Sequence, residues 1–123
     1  MRMSSPREAR GPRIERGDPD LTRASLDLAL PPAMLAGLVR RAVQTSPSFT
    51  VTTIDDAGAV LSRRSALATG DLAFRLTFTP VDGGTRIDGE LRPPSGTIGA
   101  SVKRRDDDAT ALFEAIASAA GPF

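Results

Sequence analysis

Cysteine, histidine, tryptophan and tyrosine are all missing from this 123-residue chain, and phenylalanine occurs five times. The lack of cysteine excludes a disulfide framework and any thiolate metal site. With histidine gone as well, the common zinc sites and the Ser/His/Asp and Cys/His nucleophilic systems fall away. So does the side chain that titrates nearest neutral pH. Any catalysis would rest on carboxylates, hydroxyls, arginine or the single Lys103. An enzyme is therefore disfavoured, and no catalytic residue is assigned. The run Asp106, Asp107 and Asp108 does not make a metal site: consecutive helical residues point in different directions, and EF-hand spacing is absent. No metal and no cofactor is expected.

Long apolar runs are absent too. The amino terminus, MRMSSPREARGPRIERGDPD, has no stretch that could serve as a signal-peptide core, and nowhere is there an apolar run long enough to span a bilayer. The default location is the cytoplasm. The length fits one domain with a single modest core. With 40% hydrophobic and 25% charged residues, the composition is ordinary for a folded chain. Lysine and arginine together number 16 against 15 acids, and all of the 16 but Lys103 are arginine. Arginine and alanine enrichment of this kind reads as the codon bias of a GC-rich, bacterial genome, so arginine abundance alone argues little.

Residues 1 to 24 carry six arginines and four acids, broken by Pro6, Pro12, Pro19, Gly11 and Gly17. Such a segment lacks the apolar periodicity that would offset the entropy of ordering it. It is read as a flexible Arg-rich arm, followed by a single α+β domain over residues 25–121.

In SLDLAL, Leu26, Leu28 and Leu30 alternate with Asp27 and Ala29, the period of a half-buried strand. PPAMLAGLVRRAVQ follows, with Pro32 at a first helical position and Leu35, Leu38, Val39 and Ala42 on one helix face. Gly37 is a weak point in that helix unless close packing needs it, and the small Ala36, Gly37 and Gly89 argue for such packing. FTVTTI and AVLSRRSALA form a hairpin about the turn residues Asp55 and Asp56. DLAFRLTFTP turns Leu72, Phe74, Leu76 and Phe78 to one side. VDGGT is a hairpin turn, and RIDGELR returns with Ile87, Gly89 and Leu91 inward. Pro93 and Pro94 open a loop that cannot continue the sheet. Asp106 or Asp107 then caps a last helix whose stripe is Leu112, Phe113, Ile116 and Ala120, ended by Gly121-Pro122. The predicted order is β-α-β-β-β-β-α: a two-layer α+β sandwich, with an antiparallel sheet of about five strands covered on one face by two helices.

That order, together with DLAFRLTFTPVDGGTRIDGELR, resembles two known layouts over roughly residues 25 to 120. One is the β-α-β4-α arrangement of the TATA-binding-protein-like fold, used also by small bacterial domains of unknown function. The other is the START-like or polyketide-cyclase-like helix-grip superfamily, in which a strand such as FRLTFTP, a DGGTR turn and a carboxy-terminal helix recur. This chain departs from the second in having fewer strands and a shorter last helix, which makes the simpler layout the expectation. The helix-grip resemblance implies a ligand cavity, and neither resemblance transfers a catalytic residue.

Three surfaces then compete. The opposite sheet face, with Arg63, Arg64, Arg75, Thr77, Arg86 and Asp88, reads as an interaction surface for a homodimer or a protein partner. An apolar ligand or lipid between sheet and helices would meet Leu72, Phe74, Leu76, Phe78, Leu35, Val39, Phe113 and Ile116. In a domain this small, those residues are also the obvious closed core. Lys103, Arg104 and Arg105 beside a glycine-containing loop could hold an anion, although the neighbouring acids would repel one. Nucleic acid, drawn weakly to the Arg-rich arm, is disfavoured because the rest of the chain is near neutral and offers no exposed aromatic pattern. The expected function is thus non-enzymatic binding through the exposed sheet face or edge.

Overall fold

The computed structural model of the chain describes residues 11–46, 49–63, 73–92 and 102–120. Within them run β1 (Arg13–Glu15), β2 (Thr22–Leu28), a 3₁₀ turn (Pro32–Met34), α1 (Leu35–Thr45), β3 (Phe49–Ile54), β4 (Gly58–Arg63), β5 (Ala73–Val81), β6 (Gly84–Leu91) and α2 (Val102–Ala120). The strands form one sheet in the order β1-β2-β6-β5-β4-β3, and every neighbouring pair is antiparallel. The meander β3 to β6 and the return of β2 onto β6 realise the predicted α+β layout.

Period-two patterning decides which side of each strand is buried. Ala24, Leu26 and Leu28 of β2, Phe74, Leu76 and Phe78 of β5, and Ile87 and Leu91 of β6 point into the core. From the helices come Leu35, Leu38, Val39, Ala42 and Val43 of α1 with Ala109, Leu112, Phe113 and Ile116 of α2. Turn chemistry sets the register. The Asp55 carboxylate accepts from the Ala57 and Gly58 amides at 2.8 and 3.0 Å, closing the β3–β4 hairpin, so Asp55 is the turn residue its type predicts. Between β5 and β6, Val81 pairs with Gly84 around a two-residue turn in which Gly83 takes φ 80°.

The structure departs from the sequence reading in three places. Residues 13–15 form a strand, and β2 starts at Thr22, inside the stretch that composition assigns to an arm. Leu21, Thr22 and Ala24 are buried there, and Ile14 packs against the core. A sixth strand is thus added; residues 1–10 lie outside the described residues. The last helix, in turn, is neither short nor capped by Asp106 or Asp107, since it already runs from Val102. Its buried stripe extends back through Ala109 to Asp106 and Arg105, which find hydrogen-bond partners in residues 17–22. Gly37, finally, is exposed, with nothing within 4 Å of where a Cβ would sit, so close packing does not account for it. The loop read from Pro93 onward lies outside the described residues.

Candidate functional site

The residues proposed to line an apolar site are gathered in the core. Leu35, Val39, Phe74, Phe113 and Ile116 are wholly buried, and Leu76 and Phe78 nearly so. Leu72 lies outside the described residues. Phe113 of α2 stacks on Phe74 with ring centroids 5.7 Å apart, and Phe74 meets Phe49 at 5.5 Å. Gly89 is where helix and sheet come closest: a Cβ there would sit 2.7 Å from Phe74 Cε1 and 2.9 Å from Phe113 Cζ. No methyl group fits at that seam. Phe49, not among the residues expected there, is also wholly buried; its place at the first position of the β-branched run FTVTTI is the signal that points to it.

The basic flank of α2 does not converge on one point. Lys103 donates to Asp107 one turn on at 2.8 Å, out in solvent. Arg105 turns inward and is 4% exposed. Its Nε donates to the Thr22 hydroxyl at 2.8 Å, and its terminal nitrogens donate to the Pro19 and Asp18 carbonyls. Asp106 accepts from the Thr22 hydroxyl and the Gly17 amide. Asp107 also accepts from Arg16. The hydrogen bonds from Lys103 and Arg16 hold the Asp107 carboxyl below its ordinary value. Arg105, expected to be part of an anion site, and Asp106, expected to be a helix cap, are instead buried links to residues 17–22. Counting the apolar stripe backward in helical steps from Ile116 through Leu112 and Ala109 would have reached them.

The open face of the sheet carries the remaining candidates. Arg75, Thr77, Arg86 and Asp88 are exposed there, as the alternation predicts. Arg64 and the Arg63 side chain lie outside the described residues. Three further strand positions on this face come from β1 and β2, which the sequence reading did not place: Arg13, Glu15 and Arg23. Register puts opposite charges side by side. One row across the sheet runs Glu15, Arg23, Glu90, Arg75. The next runs Arg13, Ser25, Asp88, Thr77, and a third pairs Asp27 with Arg86. Cross-strand pairs of opposite sign stabilise an antiparallel sheet. Arg86 Nε donates to Asp27 at 2.8 Å, and that hydrogen bond together with the carboxylate charge raises the Arg86 pKa above its ordinary value. Among the described residues, Arg13, Arg23, Arg75 and Arg86 on the strands match Glu15, Asp27, Asp88 and Glu90, and Arg92 just past β6 pairs with Glu90, so charge on this face is nearly balanced. An open trough of about 410 Å³ crosses it between β1, β2 and β6, walled by Arg13, Glu15, Arg23, Ser25, Asp88 and Glu90. A smaller one of about 170 Å³ adjoins it at Asp27 and Arg86.

Among the described residues no group of three or more acids is placed to hold a metal ion, and no helix is long and apolar enough to cross a membrane.

No protein-family model matches the chain, and no curated protein is similar to it at a significant level. Solved structures are similar in fold. A protein from Rhodobacter sphaeroides shares 13% identity over 89% of this chain and 94% of its own, with a TM-score of 0.57. The protein Ms6760 from Mycobacterium smegmatis shares 12% identity over 86% of this chain and 94% of its own, with a TM-score of 0.54. A looser likeness to Ara h 8.0201, at 10% identity and a TM-score of 0.47, adds nothing to these. At such identities the likeness concerns the fold alone. That fold is α+β: an antiparallel sheet with a 19-residue carboxy-terminal helix laid across it.

Proposed function

We propose that this chain is a non-enzymatic binding domain that works through the open, polar face of its sheet. The observation that carries this reading is the seam at Gly89, where Phe74 and Phe113 close on the backbone and leave no room for a methyl group. Helix-grip folds that take apolar ligands need space between helix and sheet. Here the middle of that space is filled by aromatic rings. On the opposite face, among the described residues, the strands present eight charged side chains in alternating sign and a trough open to solvent. A face whose charges nearly balance also offers little to a polyanion, which favours a protein partner over nucleic acid.

Two measurements test the reading. In carbodiimide labelling, Glu15, Asp88 and Glu90 should lose reactivity in an extract of the source cells, while the exposed Glu114 of α2 keeps its own. Titration with a fluorescent fatty acid should show no saturable site. Equal labelling of both groups of acids, or a one-to-one site for the fatty acid, would move the function away from this face and toward the interior.

A further inference from the structure

From the arrangement of charge on the open face, and resting on the reading that this face is the working surface, we infer that its partner is a second copy of the same chain. The copies would lie face to face about a two-fold axis that runs between β2 and β6, parallel to them.

The argument comes from register. Consider a line midway between β2 and β6. On one side lie β2 and then β1; on the other lie β6 and then β5. A two-fold axis along this line lays β2 of one copy over β6 of the other, and β1 over β5, while each cross-strand row keeps its height. Arg23 then faces Glu90 of the second copy, Asp27 faces Arg86, and Glu15 faces Arg75, because these residues occupy mirrored places in shared rows. In the middle row Ser25 faces Asp88, and a hydroxyl can donate to a carboxylate. Every contact occurs twice. Reflection across the line reverses the sign of the charge at each of the three charged pairs, the condition for a surface to be complementary to itself in an isologous dimer. An unrelated partner would need its own matching pattern, whereas a second copy supplies it from the same residues.

The side chains are available for this. Arg23, Glu15, Arg75, Arg86 and Asp88 are exposed, and Asp27 and Glu90 are partly so. The troughs between β1, β2 and β6 leave space along the proposed axis for the long arginine side chains of the other copy. The association this describes is electrostatic, and salt should weaken it.

Sedimentation equilibrium of the purified full chain at low and high salt is the test, with Glu15→Arg, Arg75→Glu and the double variant. The wild-type chain should dimerise at low salt, with a Kd that rises about tenfold or more between 0.05 and 0.5 M salt. Each single reversal should weaken the dimer by at least about tenfold, because one substitution alters two contacts across a two-fold axis. The double variant restores opposite charges at both contacts and should recover the wild-type Kd. Both positions are exposed, and because each reversal also sets like charges opposite on neighbouring strands of its own sheet, a cooperative thermal transition, modestly lowered, will show that the fold is kept. A chain that stays monomeric at low salt overturns the inference, as does a double variant no tighter than the singles. If it is monomeric while Asp88 and Glu90 are still protected in extract, only the inference fails and the face remains the working surface. A dimer that ignores all three variants also overturns the inference, and if Asp88 and Glu90 are unprotected in extract as well, the reading of the face falls with it.

Discussion

The Thr22 hydroxyl donates to the Asp106 carboxylate at 2.5 Å while accepting from Arg105 Nε at 2.8 Å, so one buried threonine joins an acid and a base from successive residues of α2. All three side chains are buried. Thr22→Val keeps the shape and removes the hydroxyl, leaving a guanidinium donor and a carboxylate acceptor without their shared partner. The expected loss is about 2 to 3 kcal/mol of stability, read from urea unfolding. A loss below about half a kcal/mol would show that the pair reaches another partner or water.

Gly89 should resist substitution. Gly89→Ala drives a methyl into the Phe74 and Phe113 rings, both wholly buried and unable to swing aside cheaply. Overpacking of this kind costs about 1 to 3 kcal/mol, and the expected readout is a lowered thermal midpoint. A variant as stable as the wild type would mean that α2 lifts readily from the sheet, which would revive the interior ligand site.

Gly37 should behave in the opposite way. It lies exposed within α1 with open space where a Cβ would go. Gly37→Ala should stabilise the chain by about 0.4 to 1 kcal/mol, by restricting the unfolded chain and improving helix propensity. Destabilisation would place a contact at this position that the described residues do not account for.

Asp107 gives a pH dependence of known sign. Its folded pKa is depressed by Lys103 and Arg16, so its contribution is complete above the ordinary carboxylate range and is lost as pH falls through the folded value. Lys103→Met should flatten the decline of the thermal midpoint between pH about 5 and about 2. The effect should be small and weaker in salt, because the carboxylate is half exposed. An unaltered acid limb would assign the decline to other carboxylates.

Much of this architecture was legible because alternation in β2, β5 and β6 is strict and the turn residues at Asp55 and Gly83 fit only a few backbone geometries. β1 was not legible. Three residues are too short for a period, and the one inward side chain of RIE, Ile14, is surrounded by charge. The start of α2 was misread for a related reason. An acidic run before an apolar stripe looks like a helix cap, and only the partners at Gly17, Asp18, Pro19 and Thr22 reveal that Arg105 and Asp106 belong to the buried side. The open face was anticipated at β5 and β6, but its sign pattern needed the register of β1 and β2, which no local spacing encodes.

The clasp between Thr22 and α2 spans 84 residues of sequence. During synthesis β2 leaves the ribosome long before either β6 or α2 has been made. Leu26 and Leu28 therefore stay in water until almost the whole folded region has emerged. Closing so long a loop is entropically costly, and the final hydrogen bonds repay it only when the last helix arrives. Settlement of this fold thus waits for the last helix to emerge, and the nascent amino-terminal half is the stretch most in need of a chaperone.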